Sequence, residues 1–183
     1  MATFRIAVIV GSLREGSFNR KMAEALAKLA PPDVEMHQPT ISTLPLFNQD
    51  DEKDPSDAVK RMKEEIRGSQ GVIIVTPEYN RSIPGVLKNA LDHSSRPHGQ
   101  SAWKGKPVGI IGVSPGALST ALAQQHLRNI VAALDMPALA QPEAFIRATE
   151  AMFPAPGELD ESTRKFVRSW LDAYLAFARR VAA

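Results

Sequence analysis

The chain has 183 residues, and 22 Lys and Arg side chains against 20 Asp and Glu side chains give it a formal net charge of +2. A charge this small, without any Lys/Arg-rich run, gives no support for a nucleic-acid or membrane partner. The sequence contains no cysteine, which excludes disulfides, thiolate metal sites and dithiol redox chemistry. If this protein transfers electrons, it must use a bound cofactor.

Length and composition favour one domain spanning residues 1–183. The segment from Met1 to Arg5 leads directly into an apolar run, without the basic start and cleavage site of a signal peptide. The apolar runs have the length of strands and fall far short of the ~20 residues that span a bilayer. We therefore expect a cytoplasmic protein.

Short apolar runs bounded by turn residues predict strands that are buried on both faces, as in a parallel sheet. Three such runs are clear and two are weaker. The clear ones are Phe4 to Val10, Gly71 to Thr76 and Pro107 to Val113, and the weaker ones are Val34 to His37 and the stretch around Ala138 to Ile146.

Between these runs the apolar residues recur at helical spacing. The predicted helices contain Met22 to Leu29 (with Ser17 as a possible N-cap), Val59 to Ile66, Val86 to Asp92, Leu127 to Leu134 and Phe166 to Leu175. Alternating strands and helices predict an α/β fold, a three-layer sandwich around a five-stranded parallel sheet. Five strands suit the flavodoxin-like order 2-1-3-4-5, with residues 38–54 as a long extra connection.

In such a sheet, ligands bind beyond the carboxyl ends of the strands, beside the switch point between strands 1 and 3. The loop after strand 1, residues 11–20, has the chemistry of a phosphate cradle: glycines, short polar side chains, Arg14 and a helix N-terminus. It matches neither a Walker loop nor G-x-G-x-x-G. The alternative is a polar turn in which Ser17 is a plain N-cap.

The loops after strands 3 and 4 are less specific. The first, Pro77 to Gly85, offers Tyr79 and exposed backbone groups to a flat heteroaromatic ring, and is otherwise a proline-rich turn. The second, Ser114 to Ser119, has small residues that let a ring approach the backbone. It is otherwise a turn with Ser119 as a helix N-cap.

Three segments together resemble the NADPH-dependent FMN reductase family, a flavodoxin-like group that includes bacterial chromate, quinone and azo-dye reductases. They are the Gly-Ser-Leu-Arg-x-x-Ser-x-Asn loop after strand 1, the Thr-Pro-Glu-Tyr-Asn loop after strand 3, and Ser-Ile-Pro-Gly followed by Leu-Lys-Asn-Ala-Leu-Asp. The similarity extends from about Phe4 to Ile146 and includes the Leu-Pro-Leu-Phe-Asn segment that begins at Leu44.

The resemblance implies a role for each matching residue. The FMN phosphate would be held by Ser12, Arg14, Ser17 and Asn19. The isoalloxazine would be lined, largely through backbone groups, by Pro77, Glu78, Tyr79 and Asn80, with Ser82 at its edge and Ser114 and Gly116 approaching from the strand-4 loop. Arg81 stands where some relatives have an aromatic residue.

The resemblance implies an FMN-dependent enzyme that oxidises NADPH or NADH and reduces quinones or similar small-molecule acceptors. The flavin would perform hydride transfer, so no catalytic side chain is expected. Members of the family are commonly homodimers or homotetramers, and the segment Leu44 to Asp51 could help to wall the pocket or meet a partner subunit. Three alternatives are a flavodoxin-type electron carrier without NAD(P)H oxidation, a flavin-free regulatory or interaction module on the same scaffold, and a phosphoester hydrolase that uses the loop after strand 1. The last has no visible nucleophile or metal set.

Two clusters of possible metal ligands are better explained as solvated loops. His93 and His98 lie five residues apart across a proline, without a nearby ligand set. Asp50, Asp51 and Glu52 do not follow strand 1, where a receiver domain carries its acidic residues. We therefore expect no metal site.

Overall fold

A computed structural model describes residues 3–182 of the chain. The strands are β1 (Phe4–Val10), β2 (Val34–His37), β3 (Gly71–Val75), β4 (Val108–Ser114) and β5 (Phe145–Arg147), and the helices are α1 (Phe18–Leu29), α2 (Asp57–Arg67), α3 (Gly85–Ser95), α4 (Ala121–Ala133) and α5 (Glu161–Ala182). A short 3₁₀ helix at Gln49–Lys53 lies within the long connection before α2.

The strands form one parallel sheet in the order β2-β1-β3-β4-β5, which confirms the predicted architecture. Alternate residues of β1 point to opposite faces, because side chains in a strand alternate. Ile6 and Val8 pack with α1 and α5 on one face, whereas Ala7 and Ile9 pack with α2, α3 and α4 on the other. This double burial explains why the strands are continuous apolar runs rather than alternating patterns.

The last helix lies against glycines in two neighbouring strands. A Cβ at Gly109 would lie 2.6 Å from Tyr174 Cδ2, and a Cβ at Gly71 would lie 2.5 Å from the Tyr174 hydroxyl. Tyr174 donates to the Pro107 carbonyl at 3.3 Å, and its complete burial raises the pKa of its phenol. Trp170 and Tyr174 are fully buried core residues of α5.

The last predicted strand differs from the observed one. The last strand occupies only Phe145–Arg147, and Ala138 contributes one isolated bridge to Val108. Pro142 lies between these two pairings, and proline cannot donate to a strand ladder. The first helix, by contrast, begins as predicted, because the Ser17 hydroxyl accepts from the backbone N–H groups of Asn19 and Arg20.

Ser119 is not the N-cap of α4. Thr120 occupies that position, and Ser119 has a φ of +49°. The Ser119 hydroxyl donates instead to the Ile146 carbonyl at 2.6 Å, which ties the strand-4 loop to β5. The backbone N–H groups at the start of α4 donate instead to Glu78, in the loop after β3.

Across residues 3–182, none of the helices combines the length and the apolar character that crossing a bilayer requires.

Candidate functional site

The strands β1 and β3 end at the same level of the sheet, and the neighbouring β4 continues three residues further, to Ser114. Val75 of β3 pairs with Val10 of β1 on one side and with Ile111 of β4 on the other. We call the segments that leave this edge the strand-1 loop (residues 11–17), the strand-3 loop (76–84) and the strand-4 loop (114–120). The three loops that the sequence marked as unusual therefore lie side by side at the switch point.

The strand-1 loop has free hydrogen-bond donors along its length. Within residues 3–182, none of the consecutive backbone N–H groups from Ser12 to Gly16 donates to another protein group. The Arg14 side chain is exposed, forms no salt bridge in the described part of the chain, and reaches only the Gly16 carbonyl at 3.4 Å. Unpaired N–H groups and a guanidinium are the chemistry that binds a phosphate.

Ser17 and Asn19 link this loop to α1 and to the sheet. Ser17 is buried and caps α1, with its hydroxyl oxygen 3.2 Å from the backbone nitrogen of Asn19. Asn19 is also buried, and its side-chain amide makes two hydrogen bonds with the backbone of Val113 in β4, at 2.9 and 3.0 Å. The Asn19 side chain therefore fixes the start of α1 on the sheet and does not face the free donors of the loop.

The strand-3 loop contains a tight hairpin. Tyr79 and Ser82 exchange two backbone hydrogen bonds of 2.9 and 3.0 Å, and the two residues between them have positive φ angles, +50° at Asn80 and +67° at Arg81. Consecutive positive φ angles are typical of a type I′ turn. The backbone N–H of Tyr79 is consequently occupied. In the same loop, the N–H groups of Glu78, Asn80, Arg81 and Ile83 have no partner among residues 3–182.

Helix α4 holds this hairpin at two points. One carboxylate oxygen of Glu78 accepts from the backbone N–H groups of Leu122 and Ala123, each at 3.0 Å. His126, one turn further along α4, lies with Nδ1 3.0 Å from the Ser82 hydroxyl. Glu78 thus caps α4, an interaction that its negative charge strengthens because a helix N-terminus is the positive end of the helix dipole.

A cleft of about 360 Å³ separates the strand-3 and strand-4 loops, and its walls include Glu78, Arg81, Ser114, Gly116 and Leu118. The Ser114 hydroxyl accepts from the Gly116 N–H at 3.3 Å, a local hydrogen bond within the strand-4 loop. Leu118, in the wall of the cleft, is about half exposed. The cleft therefore combines apolar surface with backbone donors, as a flat polar ring requires.

The donor set fits FMN. The strand-1 loop supplies free N–H groups and a guanidinium for a phosphate, and the neighbouring cleft supplies the Glu78, Asn80 and Arg81 N–H groups for the edge of a ring. The assigned roles of the individual residues remain predictions. Several of those side chains also have structural partners: for example, the Asn19 amide bonds to β4, and the Glu78 carboxylate bonds to α4.

Three residues at this site were not identified from the sequence. Thr76 is fully buried behind the strand-1 loop, with its hydroxyl 3.2 Å from where a Cβ of Gly11 would lie. His126 contacts Ser82, and Ile41 belongs to a second cleft of about 330 Å³ beside the strand-1 loop. The sequence offers one indication for His126: it lies next to Leu127 in the first turns of the predicted fourth helix. A residue there is near the carboxyl edge of the sheet.

The possible metal ligands that the sequence raised have other partners. His93 Nε2 lies 2.9 Å from the Pro45 carbonyl oxygen, and Glu52 forms a 2.5 Å ion pair with Arg96. Among residues 3–182, no group of three or more His, Cys, Asp or Glu side chains is arranged to hold a metal ion.

A parallel sheet in this order, with donor-rich loops at its switch point, defines a flavodoxin-like α/β protein. The chain matches the family model described as NADPH-dependent FMN reductase over residues 4–150, so it belongs to that family.

Relatives of the chain cover almost its whole length. It is 50% identical to a 2-hydroxy-1,4-benzoquinone reductase from a Burkholderia species, with 96% of each chain covered. It is 46% identical to a quinone reductase from Pseudomonas putida, covering 96% of this chain and 95% of the relative. The solved structure of FerB, a flavoenzyme NAD(P)H:(acceptor) oxidoreductase from Paracoccus denitrificans, superposes with a TM-score of 0.93 at 41% identity, covering 97% of this chain and 98% of that one.

The two bonds between Asn19 and Val113 generate a stability prediction. Replacing Asn19 with Ala leaves the backbone N–H and C=O of Val113 buried without partners, and each unsatisfied group costs about 1–3 kcal/mol. We expect Asn19→Ala to lower the free energy of unfolding by roughly 2–4 kcal/mol in the FMN-free protein, measured by urea denaturation.

The control is Asn129→Ala, because Asn129 is an exposed residue of α4 whose replacement removes the same amide. Unchanged stability of FMN-free Asn19→Ala, together with lost FMN binding, would contradict the structural role and favour a direct phosphate contact.

Proposed function

We propose that this protein is an FMN-dependent NAD(P)H oxidoreductase that reduces quinones or similar small-molecule acceptors. The observation that carries the proposal is the run of free donors in the strand-1 loop beside an open cleft between the strand-3 and strand-4 loops. Membership of the FMN reductase family supports it, as do relatives named quinone reductase at 46–50% identity.

In this proposal the strand-1 loop holds the FMN phosphate. The N–H groups of residues 12–16 and the guanidinium of Arg14 would donate to it, while the Ser17 hydroxyl oxygen accepts from α1 and leaves its own proton free to donate. The nearby N-terminus of α1 adds the positive end of a helix dipole. Ser12 is a buried residue of the same loop, and its hydroxyl would be a further donor to the phosphate.

Bound FMN would supply the chemistry of hydride transfer between NAD(P)H and the acceptor. The protein's own task is to bind, orient and stabilise. The Glu78, Asn80 and Arg81 N–H groups would donate to the pyrimidine edge of the ring, where fixed donors stabilise developing negative charge. Because Glu78 is bonded to α4, these donors are already in position before a ligand arrives.

The oligomeric state and the cellular location stay predictions. We propose a homodimer or homotetramer, supported by Leu46, which is 87% exposed on a segment that Asn89 and His93 hold against α3. Sedimentation velocity measures the assembly, and a monomer at micromolar concentration would contradict it. We propose a cytoplasmic location, which suits a chain without cysteine.

The central test is an absorbance spectrum. The purified protein, incubated with excess FMN and desalted, should keep flavin bands, and these should bleach when NADPH or NADH is added without oxygen. Bands that persist but do not bleach would favour an electron carrier over a reductase. If equilibrium titration also finds no FMN binding, the proposal is wrong.

A second test concerns the phosphate contact of Arg14. A hydrogen bond to a charged group contributes about 1.5–3 kcal/mol, so we expect Arg14→Ala to raise the Kd for FMN roughly 10- to 100-fold. Fluorescence titration of FMN measures this change. Arg61→Ala, which removes an exposed arginine from α2, serves as the control and should leave the Kd unaltered. Equal affinities in wild type and Arg14→Ala would refute the assigned role.

A further inference from the structure

The tip of the strand-3 hairpin carries an arginine in a backbone conformation that favours glycine. Arg81 has a φ of +67° at the second central position of the turn, whereas Asn80, at the first, is a residue type that tolerates positive φ. Glycine is the usual residue at the second position, because a Cβ there crowds the backbone. Strained residues of this kind cluster at functional sites, which directs attention to the Arg81 side chain.

The guanidinium of Arg81 carries a charge that its loop does not neutralise. The side chain is exposed and forms no salt bridge within residues 3–182. Glu78 is the acidic residue of the same loop, but its carboxylate accepts from the N–H groups of Leu122 and Ala123. The hairpin therefore presents an uncompensated cation.

Arg81 also lines the cleft between the strand-3 and strand-4 loops. That cleft is where the isoalloxazine would lie under the proposed function, on which this inference rests. An acceptor that takes electrons from the ring must enter beside it, and thus within reach of the hairpin tip. Arg81 is consequently placed to distinguish an anionic acceptor from a neutral one.

We propose that Arg81 selects acceptors that are anions at neutral pH, specifically 2-hydroxy-1,4-benzoquinones. A hydroxyl conjugated to a quinone carbonyl is a vinylogous carboxylic acid, so the compound ionises and shares its negative charge between two oxygens. The planar guanidinium offers paired N–H donors to such an anion, as it does to a carboxylate. A relative at 50% identity is named for reducing this compound, and here the recognition is assigned to one side chain.

The reaction balances without any further reactant. One hydride from NAD(P)H and two protons from solvent convert the hydroxyquinone anion into neutral benzene-1,2,4-triol, and NAD(P)H becomes NAD(P)⁺. The product is a phenol that is uncharged at neutral pH, so the ionic contact with Arg81 is lost on reduction. The same side chain that binds the substrate therefore does not retain the product.

The experiment compares two acceptors on the FMN-loaded enzyme. 2-Hydroxy-1,4-benzoquinone and 2-methoxy-1,4-benzoquinone carry an oxygen at the same ring position, but only the first ionises. We expect Arg81→Gln to lower the ratio of their kcat/KM values roughly 10- to 100-fold, the effect of losing a charge-assisted hydrogen bond. Arg81→Lys should keep part of the preference, and Arg61→Gln, which removes an exposed arginine from α2, should keep all of it.

Further comparisons separate charge from strain and from folding. Arg81→Gly removes both the charge and the backbone strain, so it should lose the preference to the same extent as Arg81→Gln. In the wild type, added salt should lower kcat/KM for the hydroxyquinone more steeply than for the methoxyquinone, because only the anion is attracted to Arg81. The salt measurement uses only the wild-type protein, so it does not depend on whether a variant folds.

The outcomes distinguish this inference from the proposed function. If wild-type flavin is not bleached by NAD(P)H, the proposed function itself is wrong. If bleaching is normal and the acceptor ratio is the same in Arg81→Gln as in wild type, only the role of Arg81 is overturned. A rise in KM for NAD(P)H with an unchanged acceptor ratio would overturn it as well, because Arg81 would then bind the dinucleotide.

Discussion

Hydrogen bonds just beyond the strands keep the three loops of the site together. The Gly11 N–H donates to the Val75 carbonyl at 2.9 Å, and the Thr76 N–H donates to the Ile111 carbonyl at 3.0 Å. These bonds extend the ladder past β1 and β3, so the chain leaves the sheet at the same level in neighbouring strands. The packing there is close enough that Gly112 has no space for a Cβ between Thr120 and Thr76. The positions of the loop donors therefore depend on the register of the sheet, since a shift of one strand would separate the donors.

Side chains and backbone have different tasks at this edge. The Asn19 amide and the Glu78 carboxylate hold the loops by bonding to β4 and to α4, while the N–H groups of residues 12–16 have no partner in the described part of the chain. A loop fixed by its side chains loses little entropy when a ligand binds, so its backbone donors act as a prepared surface. A similar bond holds Ser119 in its positive-φ conformation. The Ser119 hydroxyl donates to the Ile146 carbonyl and so fixes the strand-4 loop to β5.

The sequence was sufficient for the order of the elements and for the place of the site. Apolar runs gave β1 and β2 with their observed limits, and Ser17 caps α1 as predicted, because both features depend on neighbouring residues. The partners of Asn19 and Glu78 were beyond this reasoning, since Asn19 and Val113 are 94 positions apart and Glu78 and Leu122 are 44 apart. A short polar side chain near a helix start predicts a cap or a ligand equally well. Only the folded chain shows that Asn19 instead bonds to a strand.

Net charge was similarly uninformative, because the number of charges does not say where they are neutralised. Two cationic side chains have partners at helix ends. Lys106 donates to the carbonyl of Arg67, the last residue of α2, at 3.0 Å, and Arg168 donates to the carbonyl of Leu29, the last residue of α1, at 2.5 Å. These side chains satisfy carbonyl groups that a helix leaves unpaired, so they stabilise the fold. Within residues 3–182, the side chains of Arg14 and Arg81 contact no helix-end carbonyl, and both lie on loops at the carboxyl edge of the sheet. The formal charge of +2 thus does not reveal that this edge of the sheet carries two exposed arginines, Arg14 on the strand-1 loop and Arg81 on the strand-3 loop.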